Sequence, residues 1–206
     1  MKNTKTMRSI FLTLFSLLMV LPVFASAQAS QKAENFVENR VQETLNFVGD
    51  SSISMTEKKA KFEKMLNASF DMKTVARFAL GRFWRKLPKS DQARYYDLFE
   101  NYIVNVYAQR FDEYSGQKFD VTGSRAEQNG DFIVFSELRP DKGANVFVDW
   151  RIREKGGQLK VIDVIVEGIS MSVTQRSDFA SVIQRNGGDI SALLDFLDKQ
   201  IVASKN

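Results

Sequence analysis

The chain of 206 residues has a formal net charge of +4, with 44% hydrophobic and 26% charged residues, a composition typical of a globular protein. It contains neither cysteine nor histidine, which excludes Cys/His zinc sites, thiol nucleophiles, histidine-based catalytic triads and disulfides. Any catalysis would depend on carboxylates, Lys, Tyr or Ser.

The N-terminus has the features of an export signal. Three basic side chains within the first eight residues precede an apolar run over 10–24, which is shorter than the about 20 residues of an ordinary membrane span. The run ends at Ala25-Ser26-Ala27, the small-x-small pattern that a signal peptidase needs. We therefore predict a signal peptide over residues 1–27, cleaved before Gln28. An uncleaved N-terminal anchor is the alternative.

The mature domain, residues 28–206, is predicted to be nearly neutral. Removal of 1–27 takes away three basic and no acidic residues, so the formal charge falls from +4 to +1. The basic character of the whole chain is therefore no indication of a nucleic-acid partner. Without a cysteine that could carry a lipid anchor, export places a soluble protein in the periplasm of a Gram-negative bacterium.

Apolar residues at three- and four-residue spacing predict four helices in the first half of the domain. Ser54 and Asp71 are expected to cap the second and third, and Ser90, after the break at Pro88, the fourth. The predicted helices cover about 31–48, 54–70, 71–83 and 91–114.

The second half begins with period-two segments separated by turn signals such as Asn129-Gly130 and Gly156-Gly157. Short links between consecutive strands predict an antiparallel meander. Two further helices are predicted at the C-terminus, capped by Ser177 and Asp189. The predicted strands cover about 118–126, 131–138, 145–154 and 159–167. The sequence thus indicates an α+β domain with a four-stranded antiparallel sheet and about six helices packed on it.

Aromatic side chains are abundant, with 17 Phe, 5 Tyr and 2 Trp. Ordinary core packing explains any single aromatic stripe. Two apolar layers that face each other across helix and sheet can also leave a cavity for a hydrophobic ligand, and periodicity alone favours neither.

Two ordered blocks of residues resemble a known family. The first is Phe70-Asp71-Met72 through Ala76-Arg77 to Leu80-Gly81-Arg82-Phe83-Trp84-Arg85; the second is Val161-Ile162-Asp163-Val164 through Gly168-Ile169-Ser170 to Gln175-Arg176-Ser177-Asp178-Phe179. Together with the fourth predicted helix, which is rich in aromatic residues and contains Val106-Tyr107-Ala108, they resemble the toluene-tolerance, or MlaC-like, family of periplasmic phospholipid-binding proteins. The resemblance covers most of residues 35–200.

The resemblance implies a monomeric lipid carrier with a deep apolar pocket. In this reading the protein shuttles phospholipid between an outer-membrane lipoprotein/porin complex and an inner-membrane ABC transporter complex, without catalysis or a cofactor, the lipid being cargo. The expected tail contacts lie on inferred apolar faces within or beside the matching blocks: Phe83, Phe99, Tyr102, Ile103, Val106, Val148, Trp150, Val164, Val166 and Ile169.

Three alternatives remain open from the sequence. Val148-Asp149-Trp150-Arg151 and the segment 182–188 resemble the branch associated with hopanoid gene clusters, which makes a hopanoid-type lipid a second candidate ligand. An enzyme on a similar fold would use Asp163 and a tyrosine such as Tyr107 as acid and base, although the sequence favours a pairing of Asp163 with Arg151 or Arg153 of a neighbouring strand. A solid core would instead indicate a periplasmic interaction module.

Overall fold

The computed structural model describes residues 21–114 and 116–203, with side chains from Gln28 onward. The expected signal peptide lies outside the described residues over 1–20, and for 21–27 only helical backbone is described. Within the described ranges, no helix is both long and apolar enough to cross a bilayer.

The helical half follows the predicted order. Ser54 Oγ accepts the backbone N–H of Glu57 (3.2 Å), and an Asp71 carboxylate oxygen accepts that of Thr74 (3.1 Å), so both expected caps are confirmed. The fourth helix differs: it begins directly after Pro88 rather than at a Ser90 cap, and ends six residues earlier than predicted. The helices are α1 (Leu21–Gly49), α2 (Met55–Ser69), α3 (Met72–Leu80) and α4 (Lys89–Ala108), with a 3-10 helix at Gly81–Lys86 and another at Phe111–Glu113.

A single antiparallel sheet follows, with its strands in chain order. The α+β class is confirmed. The sheet has five strands rather than four, because a two-residue strand pairs with the end of the fourth. The strands are β1 (Lys118–Ala126), β2 (Phe132–Arg139), β3 (Val146–Lys155), β4 (Gln158–Val166) and β5 (Ile169–Ser170).

The extra strand results from a tight turn at Glu167-Gly168. Both residues have positive φ, 51° and 76°, which is the backbone of a primed two-residue hairpin turn. The unfavourable φ of Glu167 is offset by contacts with the neighbouring strand, since its carboxylate accepts the backbone N–H of Phe147 (2.6 Å) and its own N–H donates to the Phe147 carbonyl (2.9 Å).

This turn also moves the start of the next helix. The fifth helix, α5, spans Met171–Arg185 and is capped by Ser170, whose Oγ accepts the N–H of Val173 (3.1 Å). The prediction of a start at Ser177 was therefore wrong by about two turns. The last helix, α6 (Ser191–Ala203), follows Asp189, whose carboxylate accepts the Ser191 N–H (2.8 Å).

In the part of the chain that the structure describes, buried apolar side chains form three clusters rather than one continuous core. One joins α3 to α6, a second lies between α1 and the sheet, and a third joins the end of α1 to α2 and α4. Residues such as Phe70, Met72 and Ile103 contact the edges of more than one cluster. Where the clusters meet, the interior does not close.

Candidate functional site

A cavity of about 280 Å³ lies at the junction of the three clusters. This volume is close to the lower end of the about 300–1,000 Å³ of ordinary small-molecule pockets. Helices α1 to α5 and strands β3 and β4 all contribute to its wall, so the cavity belongs to the whole fold rather than to one loop.

The wall is predominantly apolar and combines aliphatic, aromatic and methionine side chains. Methionine is flexible and polarisable, so it adapts to ligands of irregular shape. The apolar lining consists of Phe36, Val37, Val41, Phe62, Met65, Leu66, Phe70, Met72, Val75, Phe99, Ile103, Trp150, Val161, Val164, Val166 and Met171.

The corner between α2 and α3 is fixed to the sheet beside the cavity. Phe70 forms an isolated parallel bridge with Val161 of β4, and the Asp71 N–H donates to the Val161 carbonyl (3.0 Å). The Asp71 carboxylate caps α3 and lies 3.1 Å from the Lys155 Nζ. These bonds hold one wall of the cavity at a set distance from the other.

Trp150 is held in the wall by a buried hydrogen bond. Its indole Nε1 donates to Ser136 Oγ (3.0 Å), and Ser136 in turn donates to the Val148 carbonyl (2.5 Å). The indole also packs edge-to-face against Phe119 at 6.4 Å. With its polar atom satisfied, the ring can present an apolar face to the cavity.

Asp163 anchors the start of α5 instead of pairing with an arginine of β3. One carboxylate oxygen accepts the N–H groups of Val164 (3.0 Å) and Ser172 (3.1 Å), and the other accepts the hydroxyl of Ser170 (2.6 Å). The carboxylate therefore stabilises a helix N-terminus, which suits a negative charge. Among the described residues, neither expected pairing is formed. Arg153 makes a two-point bond to Asp131 (both 2.7 Å), and Arg151, which lies opposite Asp163 in the sheet register, makes no ion pair with it.

A few polar groups reach the cavity. Arg40 of α1 is its cationic side chain, 42% exposed and paired with Glu43 at 2.7 Å. Tyr107 of α4 lies at the wall with 38% of its surface exposed, and burial of its hydroxyl raises its pKa. Both side chains are part-exposed, so the cavity has a mouth beside them. Thr44, Ser69, Asp163, Ser172 and Gln175 complete the polar lining.

The cavity has the composition of a site for a hydrophobic ligand rather than for a metal. Among the described residues, no group of three or more carboxylates could hold a metal ion. Asp163, the carboxylate in the wall, already accepts three hydrogen bonds.

The family model described as MlaC protein matches residues 37–199. The chain belongs to the MlaC family. The matched range includes every helix from α2 to α5 and the entire sheet, and therefore nearly the whole cavity wall of this MlaC-family domain.

Two curated relatives are similar over part of their length. The toluene tolerance protein ttg2D of Pseudomonas putida is 27% identical over 124 residues, covering 60% of this chain and 58% of the relative. The intermembrane phospholipid transport system binding protein MlaC of Haemophilus influenzae is 23% identical over 114 residues, covering 53% of each chain. The aligned part thus spans little more than half the length of these relatives.

A solved structure shares the fold. It is the phospholipid-binding protein of Ralstonia solanacearum in complex with a phospholipid, with a TM-score of 0.75 and 24% identity. The match covers 84% of this chain and 99% of the other.

Within this MlaC-family fold, the ten expected tail contacts divide into two equal groups. Phe99, Ile103, Trp150, Val164 and Val166 line the cavity. Five others lie outside its lining. Phe83 is buried in the α3–α6 cluster, Tyr102 packs beside that cluster, Val106 and Val148 are half-buried, and Ile169 of β5 is 59% exposed.

The sequence reasoning missed the contribution of α1 and α2. Phe36, Val41, Met65 and Phe70 line the cavity, yet in the sequence they belong to ordinary amphipathic stripes. Their spacing predicts that they are buried, and only the positions of the helices relative to the sheet determine that they face a cavity.

Proposed function

We propose that this protein is a soluble periplasmic lipid carrier that encloses the acyl chains of a phospholipid in the cavity between its helices and its sheet. The observation that carries the proposal is the apolar cavity at the junction of three core clusters, walled by every major element except α6, β1 and β2. A solid-core interaction module would have no need of such a space.

The energetics of lipid transfer require an enclosed site. A chain of about 16 carbons costs roughly 13 kcal/mol to bring into water, at about 0.8 kcal/mol per methylene. A carrier must replace most of this with protein contacts during transit. Valine, methionine and aromatic side chains supply such contacts on all sides of the cavity.

The relatives support a phospholipid as cargo. One curated relative is named as a phospholipid transport binding protein, and the structural neighbour carries a phospholipid. We extend the proposal to shuttling between an outer-membrane lipoprotein/porin complex and an inner-membrane ABC transporter complex, with the protein acting as a monomer without a cofactor. A mature charge of +1 would limit adsorption to anionic bilayers, as a shuttle needs.

Arg40 provides the place for the phosphate. It is the cationic side chain of the cavity lining, and its partial exposure puts the guanidinium at the mouth, where a headgroup would remain in contact with water. Guanidinium groups bind phosphate in two-point geometry, and the Glu43 partner is exposed enough to move aside.

Expression of the full chain in a Gram-negative host tests the proposal. The protein is recovered from the periplasmic fraction, its N-terminus is sequenced and its bound material is identified by native mass spectrometry and solvent extraction. We expect a chain that begins at Gln28 and carries phospholipid in stoichiometric amount. A hopanoid-type lipid would keep the carrier but change the cargo, whereas no bound lipid and no uptake from vesicles would overturn the proposal.

We also propose that the protein is not an enzyme. Asp163 and Tyr107 do lie in the same cavity wall, but the carboxylate is engaged by three donors and burial raises the pKa of Tyr107. Phospholipid incubated with the protein should be recovered intact. Formation of a lysophospholipid by the unmodified protein, abolished in Asp163→Asn at equal lipid content, would show an enzyme instead.

A further inference from the structure

Two polar atoms in the cavity wall have no hydrogen-bond partner among the residues that the structure describes. The Oγ of Ser69, a residue with 0% exposure at the end of α2, and the Nε2 of Gln175 on α5 are both fully buried, and both residues line the cavity. A buried polar group without a partner is costly, and proteins rarely leave one without a reason.

A polar neighbour of the Gln175 amide is the Tyr102 hydroxyl. Burial raises the pKa of the adjacent Tyr102 hydroxyl, and the Gln175 amide lowers it, which places the two groups side by side. Even so, no described residue offers Nε2 a partner of hydrogen-bond geometry. The amide donor thus lies in the cavity wall beside a hydroxyl to which it makes no well-formed hydrogen bond.

A hydrocarbon chain offers nothing to such a donor, but the ester carbonyls that join acyl chains to glycerol are strong acceptors. Resting on the proposed function, we propose that Gln175 Nε2 donates a hydrogen bond to an ester carbonyl of the bound lipid, with the Ser69 hydroxyl as a second donor in the same cavity wall. The cavity thereby selects ester-linked lipids, and the orphaned donors fix how far the acyl chains enter.

A pair of lipids that differ only in linkage tests this directly. Delipidated full-length protein is exposed to vesicles with equal amounts of a dihexadecanoyl phosphatidylglycerol and its dihexadecyl diether analogue, and the loaded ratio is read by native mass spectrometry. We expect the diester to be enriched by about three- to tenfold, the effect of one or two buried hydrogen bonds. Equal loading of the two lipids would overturn the inference, while no loading of either would overturn the proposed function.

The variant Gln175→Leu removes the donor and keeps a strong helix former of similar size. It should load both lipids with a ratio near one. Gln184→Leu is the matched control, because Gln184 is an exposed glutamine on the same helix, and it should keep the preference of the unmodified protein. If Gln175→Leu kept the diester preference, Gln175 would not be the donor.

Stability gives a readout that does not depend on lipid. Because the unpartnered amide destabilises the empty protein, Gln175→Leu should raise the Tm of the delipidated form and reduce the further increase caused by diester lipid. A lower Tm in the delipidated variant would mean that the amide serves the fold instead. Ser69→Ala, a smaller change, should show the same two effects with a smaller loss of preference.

Discussion

The indole Nε1 of Trp150 donates to Ser136 Oγ at 3.0 Å, across from β3 to β2. Ser136 has 2% exposure, and its own hydroxyl donates a hydrogen bond to the Val148 carbonyl. A single hydroxyl thus serves as acceptor for the one polar atom of the largest side chain in the cavity wall.

Ser136→Ala should destabilise the protein by about 1–3 kcal/mol, because the indole N–H would remain buried without an acceptor. Urea unfolding measures the loss. In a Trp150→Phe background, which lacks that N–H, the same change should cost clearly less. Equal costs in the two backgrounds would show that Ser136 acts through Val148 alone.

The site predicted from the sequence and the cavity in the structure differ at two valines. Val164 and Val148 are both half-buried on neighbouring strands, and both were expected to contact lipid, but only Val164 lines the cavity. Val164→Phe should lower the lipid recovered per folded protein at least severalfold by filling the space, with a modest change in Tm, whereas Val148→Phe should leave it unchanged.

Lipid extraction from purified protein, with the folded fraction measured by circular dichroism, compares the two variants. Full lipid occupancy in Val164→Phe would mean that this part of the wall does not contact cargo. A loss in both variants would favour the wider site that the sequence predicted.

The strand positions were readable from the sequence because each turn carries a strong signal. Asn129-Gly130 and Gly156-Gly157 separate period-two segments, and four strands lie within a residue or two of their predicted bounds. The turn before β5 lacked such a signal. Glu167 adopts a positive φ of 51° there, and a glutamate in the sequence does not predict that conformation. Because this turn was not predicted, the predicted start of α5 was placed too late and Ser170 was not identified as its cap.

The periodicity of apolar residues could not predict the cavity. Phe83 and Phe99 lie on similar apolar stripes, but one is enclosed in the α3–α6 cluster while the other borders the cavity as well. The difference depends on how far apart the packed elements are, and that distance is set by long-range contacts such as the Asp71–Val161 bond. No local pattern carries that information.

Asp71 makes stability depend on pH in a defined direction. Partial burial acts to raise its pKa, but hydrogen bonds from Thr74 and Lys155 outweigh this and hold the pKa below its usual value. A carboxylate with a lowered folded pKa contributes stability above the unfolded value of about 3.9 and loses it as the pH falls through the folded pKa.

Asp71→Asn retains a good cap but loses the charge. It should be less stable than the unmodified protein at pH 7, by less than about 1 kcal/mol, and the difference should shrink when the pH falls below about 4. Urea unfolding at pH 7 and pH 3 measures both values, with Asp195→Asn as a surface control. A difference that grew in acid would contradict the assigned direction.

Arg110 is a matched control for the proposed contact between Arg40 and the lipid headgroup. Each pairs with a glutamate three residues later, Arg40 with Glu43 at 2.7 Å and Arg110 with Glu113 at 3.6 Å, but only Arg40 lines the cavity. Replacement of either by methionine removes the same charge, so a purely global electrostatic effect would be equal in both variants. Arg40→Met should weaken the uptake of phosphatidylglycerol from vesicles by about three- to tenfold, as expected for one lost charge-assisted hydrogen bond.

Arg110→Met should leave that uptake unchanged. The loss in Arg40→Met should also be larger for a phospholipid than for a diacylglycerol with the same chains, because the diacylglycerol has no phosphate. Equal losses for the two ligands would mean that Arg40 contributes through packing of its stem against Phe36, over whose ring its guanidinium lies at 5.9 Å, rather than through its charge.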